Sequence, residues 1–290
     1  MFRDLSRPIE TGMPTYPGDP DVTLAPDATH EADGYATSEL RTGTHAGTHV
    51  DAPRHTVPGG ESIDERDVGR FAFDARLVDP RPLEPREPIR ADALPDPDAL
   101  DGDLDLLVLR TGWESHWGTD RYRDHPYLTA AAAERCREAG VGVGLDAFGP
   151  DPTPTAGGGA DGEASEDGEP AGTPAHDVLL GDSLPIVENL CGLDDLPERF
   201  RLYAFPLRLR GADGSPVRAV AEWENQADAD RRAGRLAGAP DQTRFKRRRR
   251  TASQGRYPWK CHAASTRTAP TVTPTRSTRW RRSDRVARPE

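Results

Sequence analysis

At 290 residues, 34% of them hydrophobic, the chain can build one large domain or two small ones without disulfides or structural metals. Its three cysteines, Cys136, Cys191 and Cys261, are odd in number and far apart, which argues against a disulfide framework and a thiolate zinc site. The net charge of −11 joins two unlike pieces: residues 1–220 hold 42 acidic against 20 basic residues and no lysine, whereas residues 221–290 hold 7 against 18. A lysine-free acidic region suits a protein adapted to high salt, where screening removes self-repulsion. Arginine bias from a GC-rich genome is the alternative, and it leaves the acid excess unexplained. No apolar run has the length of a signal peptide or a bilayer span, so a reducing, cytoplasmic setting is expected.

Short apolar runs bounded by turn residues predict strands at 71–79, 105–110, 141–146, 184–190 and 201–209. Between the second and third, Thr129 can cap AAAAERCREA, and Gly140 can end that helix. Strand, helix, strand over 105–146 reads as an α/β element, and the other strands, without helices between them, read as added antiparallel or mixed sheet. A single mixed α/β domain over residues 1–223 follows. Residues 152–175 have no large apolar side chain and are rich in Gly, Pro and acid, which predicts a disordered surface insertion.

The chemistry concentrates in HAGTHVDAPRH, residues 45–55, which holds three of the chain's eight histidines, His45, His49 and His55, together with Asp51. Gly47, Thr48, Val50 and Pro53 disfavour a helix. On an extended segment all four odd-numbered positions would share one face, with Gly47 leaving room between the histidines and Pro53 ending the run. Imidazole and carboxylate are the donors that Zn²⁺ or Mn²⁺ accepts, and three protein ligands leave positions open for water. Chance clustering on a solvated turn is the plain alternative, and it weakens with each further ligand in the string.

These residues resemble the cyclase family, which includes bacterial kynurenine formamidases and carries a His-x-Gly-Thr-His-x-Asp-x-Pro-x-His signature. The similarity begins at DLSRPIETGMPTYPGDP and continues through VLRTGW (108–113), VGLD (143–146), HDVLLGDSLPIVENL (176–190) and FPLRLRGADGSPVRAVA (205–221). It implies a swivelling β/β/α type of fold and a site for two divalent ions. By that resemblance His45, His49 and a bridging Asp51 hold one ion, His176 and Glu188 complete the second, and His55 transfers the proton. Tyr16 falls where formamidases of the family place an aromatic residue against the substrate ring. The implied reaction is hydrolysis of a small amide or formamide, most typically N-formylkynurenine to kynurenine and formate. An isatin-like lactam or another small carbonyl compound is the alternative, and a homodimer is the implied assembly. Taken alone, His176 merely follows a loop, and Glu188 could equally belong to a buried ion pair. The sequence departs from the family pattern at Ala147-Phe148-Gly149-Pro150, where a serine is usual, and everywhere after Trp223.

Residues 224–290 lose all hydrophobic periodicity, reverse the charge and carry the only lysines, Lys246 and Lys260. A disordered tail is expected. KRRRR with Tyr257, Trp259 and Trp280 could neutralise phosphates and stack on bases. The acidic body opposes nucleic-acid binding, and a shifted reading frame in a GC-rich gene accounts for the change more simply. Truncation after Trp223 is expected to leave a folded, active enzyme that needs salt at least as much as the full chain does. Thermal unfolding and turnover of both forms across salt concentrations check this, and a truncated chain that folds at no salt concentration would contradict it.

Overall fold

The computed structural model describes residues 1–100, 102–154 and 169–224. In chain order the strands are β1 (Phe2–Asp4), β2 (Thr23–Ala28), β3 (Thr37–Arg41), β4 (His49–Asp51), β5 (Ala72–Val78), β6 (Pro88–Ile89) and β7 (Leu106–Leu109). They continue with β8 (Tyr127–Leu128), β9 (Gly142–Leu145), β10 (Ile186–Glu188), β11 (Arg199–Tyr203), β12 (Gly214–Pro216) and β13 (Val220–Glu222). The helices are α1 (His30–Asp33), α2 (Ala130–Ala139) and α3 (Pro174–Gly181). One sheet has nine strands in the order β1-β13-β11-β5-β7-β9-β10-β4-β12. Its central strands β5, β7, β9 and β10 run parallel, and both flanks are antiparallel.

β7 (LLVL) and β9 (GVGL), at the middle of this parallel set, carry no polar side chain because both faces of the sheet are covered there. Leu107, Leu109, Val143, Leu145 and Ile186 face a core shared with Ala132, Ala133 and Cys136 of α2 and with Leu179 and Leu180 of α3. Leu106, Val108 and Val187 turn the other way, into a second core with Val50, Phe73, Ala75 and Leu202. Helix α2 forms as the sequence predicts: the Thr129 hydroxyl accepts the Ala132 N–H, and Gly140 closes the helix in the left-handed conformation. With β7 and β9 it makes the expected parallel crossover unit.

One strand and the bounds of the insertion need correction. The last predicted strand, 201–209, is shorter and starts earlier, at Arg199–Tyr203. Pro206 has no N–H to donate to a ladder and makes only an isolated bridge with Val217. The insertion predicted at 152–175 is built into the fold at both ends, while residues 155–168 lie outside the described residues. Thr153 is buried, where its hydroxyl meets His125 Nε2 at 3.0 Å. At the other end α3 starts at Pro174, with Ala175 fully buried. Composition concealed this helix because its first turn draws on proline and alanine rather than large apolar side chains. The expected tail lies, apart from Glu224, outside the described residues.

Asp146, at the end of β9, ties the centre of the sheet to the turn after β7. It accepts the Thr111 and Gly112 N–H groups and the Thr111 hydroxyl, so the RTGW segment is structural, with Trp113 buried. Burial pushes its pKa up to about 6 despite these donors. The next residues, 147–151, leave this anchored point toward the candidate site.

Packing between β9 and the entry to β10 has no room for a side chain at Gly142, where a Cβ would overlap Pro185 O and Cγ. Gly142→Ala is therefore expected to cost at least about 1–3 kcal/mol of stability. Urea unfolding reads this directly, and an unchanged midpoint would contradict the close approach.

Candidate metal centre

Strand β4 lies between β10 and β12, with Glu188 across from His49 and Gly214 across from Asp51. Only His49 and Asp51 of the predicted odd-numbered set stand on that strand. His45 sits in the turn before it, and His55 ends a short 3₁₀ turn, Pro53–His55. The expectation of one continuous extended face is thus corrected, and the rings meet because the chain folds back at both ends of β4. Gly47 makes the first of these turns at φ 63°. Its carbonyl lies 2.9 Å from His49 Nδ1, which leaves His49 Nε2 for the site. Pro53 makes the second by starting the 3₁₀ turn.

Asp51 is the centre of the cluster, and its side chain has no exposed surface. Its Oδ1 lies 3.0 Å from His45 Nδ1 and 3.5 Å from His49 Nε2, and its Oδ2 lies 3.7 Å from His176 Nε2. Glu188 closes the ring of donors, with Oε2 3.1 Å from His49 Nε2 and Oε1 3.2 Å from His176 Nε2. His176 comes from the first turn of α3. The His55 ring stands 4.1 Å from that of His45 and 5.6 Å from that of His176, centre to centre. The structure therefore brings together all six residues proposed for metal binding and proton transfer.

Tyr16 reaches the same region. Its ring packs edge-on against Phe148 at 6.1 Å, and Phe148 in turn packs on Tyr122 and Trp117. Burial, together with the charges of Glu188 and Asp151, pushes the Tyr16 phenol up to about 12, so it remains protonated at neutral pH. An aromatic wall thus stands beside the carboxylate cluster.

Electrostatically the pocket favours positive charge. Burial opposes protonation of His45, yet Asp213 and Asp51 raise its pKa to about 10. His176 is raised well above the ordinary histidine value, because Asp151 and Glu188 outweigh its burial. Asp51 is held below the usual carboxylate range although burial alone would raise it, through the adjacent His45 and the charge of His49. His55 moves the opposite way, lowered first by burial. His49 Nε2 and both Asp51 oxygens are buried here without a well-formed hydrogen bond. Buried polar atoms are normally paired, so their convergence fits a bound cation. His45, His49 and Asp51 form one metal-capable group, and Asp51, His176 and Glu188 form another. A mixed nitrogen and oxygen donor set of this kind suits a divalent transition ion.

Two carboxylates of this site were not singled out from the sequence. Asp151 accepts His176 Nδ1–H at 2.7 Å, which turns Nε2 toward Glu188, and it also accepts the N–H groups of Ala175 and His176 at the start of α3. Asp213, just before β12, lies 3.3 Å from His45 Nε2. The signal for Asp151 was its place at the end of the Ala147–Pro150 segment that follows β9. That for Asp213 was its place within GADGSP.

The match to known proteins agrees with this geometry. The family model described as putative cyclase matches residues 3–152. A kynurenine formamidase of Salinibacter ruber is 30% identical over 222 residues, covering 75% of this chain and 95% of that protein. A solved structure titled as a potential metal-dependent hydrolase with cyclase activity superposes with a TM-score of 0.60 at 26% identity, over 78% of this chain and 99% of the other. An isatin hydrolase bound to a product analogue shares the fold, with a TM-score of 0.64 at 24% identity over 77% of this chain and 92% of that one. The chain belongs to the cyclase family. By class it is a hydrolase.

Asp151→Ala removes the acceptor for three donors at once and is expected to cost about 1–3 kcal/mol for the groups left unpaired. Denaturant unfolding measures it. A variant as stable as the parent chain would show that Asp151 does not hold α3 and His176 in place.

Proposed function

We propose that the chain hydrolyses the C–N bond of a small amide or formamide, with N-formylkynurenine as substrate and kynurenine and formate as products. The observation that carries this reading is the pair of metal-capable groups sharing Asp51, with the His55 ring alongside. His45, His49 and Asp51 would hold one divalent ion, and Asp51, His176 and Glu188 the second. Such ions supply Lewis acidity to a carbonyl oxygen and lower the pKa of water toward neutrality.

The protein's own groups perform the remaining tasks. His55, partly exposed and with a lowered pKa, gives a proton to the departing nitrogen, because an amide anion is a poor leaving group. Asp151 and the Gly47 carbonyl fix the ring orientations of His176 and His49. Tyr16 and Phe148 offer an aromatic surface against which the aryl ring of the substrate packs. The kynurenine formamidase of Salinibacter ruber supports this choice of substrate.

The reading includes Zn²⁺ or Mn²⁺ as the ion, a homodimer and a cytoplasmic setting. It also includes function in high salt, which the acid excess of residues 1–220 supports. Among the described residues no helix is long and apolar enough to cross a membrane.

Metal analysis and turnover of N-formylkynurenine, with isatin alongside and both at high salt, test the proposal. Asp51→Ala is expected to lose both ions, whereas His55→Ala should keep them and lose roughly 10²–10⁴-fold in kcat. Asp51→Ala with the metal content of the parent chain would overturn the shared-ligand arrangement. Turnover of isatin alone would overturn the substrate.

A further inference from the structure

Asp213 reaches both the proposed metal ligands and the proton-transfer histidine from the open side of the site. Its backbone is fixed, because its carbonyl accepts the Ala52 N–H at 2.8 Å and the next residue, Gly214, pairs with Asp51. A Cβ on Gly214 would stand 2.8 Å from His45 Cε1, so the absence of a side chain there lets the His45 ring settle against this strand. The side chain is fixed as well. The Thr44 hydroxyl donates to Asp213 Oδ1 at 2.9 Å, and this leaves Oδ2 facing two imidazoles. Oδ2 lies 3.3 Å from His45 Nε2 and 3.8 Å from His55 Nδ1.

His45 is thereby held between two carboxylates, with Nδ1 toward the buried Asp51 and Nε2 toward Asp213. A histidine that presents one nitrogen to a metal commonly has the other oriented by a carboxylate, which fixes the tautomer. The same oxygen lies on the Nδ1 side of His55, so its Nε2 remains for proton transfer. The contact to His55 is longer than a hydrogen bond, as catalytic contacts often are before substrate tightens them. An exposed ion pair alone would contribute little. Asp213 differs from one in that its backbone and its second oxygen are both anchored.

We propose that Asp213 is a positioning residue that orients His45 for metal binding and His55 for proton transfer, coupling the two through one carboxylate oxygen. The proposal rests on the functional reading of His45 and His55 given above.

The test uses the full-length, zinc-loaded chain and the variants Asp213→Ala, Asp213→Asn, His55→Ala and the double variant His55→Ala/Asp213→Ala. Zinc affinity is read by chelator competition without substrate, zinc content at saturation by elemental analysis, and N-formylkynurenine turnover at saturating zinc. Asp213→Ala is expected to weaken zinc binding about 10–100-fold while the number of ions at saturation stays the same. It should lower kcat roughly 10- to 100-fold with KM little changed. In the His55→Ala background the same change should leave kcat unaltered, while the loss in zinc affinity persists. Asp213→Asn, with one acceptor oxygen fewer, should fall between Asp213→Ala and the parent chain. Unchanged zinc affinity, or a kcat loss that persists in full without His55, would overturn the proposal. Loss of an ion at saturating zinc would overturn it too, by making Asp213 a ligand. If the parent chain does not turn over N-formylkynurenine, the functional reading fails and the zinc arm alone decides the role of Asp213.

Discussion

A carboxylate with no exposed surface is costly unless positive charge surrounds it, and Asp51 meets this constraint at the centre of the ligand cluster. Three imidazoles and a second buried carboxylate, Glu188, converge on it. Two buried carboxylates repel each other, so their coexistence favours cations between them. The carboxylates raise the pKa of both His45 and His176, which favours positive charge on these rings, and divalent ions would supply it at greater charge density.

The fold supplies the geometry that this arrangement needs. β4 lies between β10 and β12, so Glu188 and Gly214 flank its two functional residues through backbone ladders rather than through loops. The parallel centre, filled on both faces by apolar side chains, gives β10 a rigid neighbour in β9. Asp146 and Asp151, five residues apart, pin both ends of the segment that follows β9. One holds the turn after β7, and the other holds α3 with its His176. Site residues on anchored strands and capped turns stay within the small tolerances that metal ligands require.

Much of this was legible in the sequence for identifiable reasons. The apolar runs of β5, β7, β9 and β10 declare buried strands, and Thr129 with Gly140 brackets α2 because capping is a local property. The His-x-Gly-Thr-His-x-Asp string marks the site because its ligands are close in sequence. Its conformation was less legible: period two places His45 and His55 on the same strand as Asp51, whereas Gly47 and Pro53 turn the chain at either end. α3 escaped because its apolar residues begin only after the Pro-Ala start. Asp151 and Asp213 escaped because an aspartate that orients a histidine far away in sequence looks like any other in so acidic a chain.

The central claim is that Asp51 lies between two metal positions. Crystals of the zinc-loaded chain, measured on both sides of the zinc absorption edge, test it most directly. Two anomalous peaks flanking Asp51 are expected, one beside His45 and His49 and the other beside His176 and Glu188. A map with zinc bound only away from Asp51 would contradict the claim.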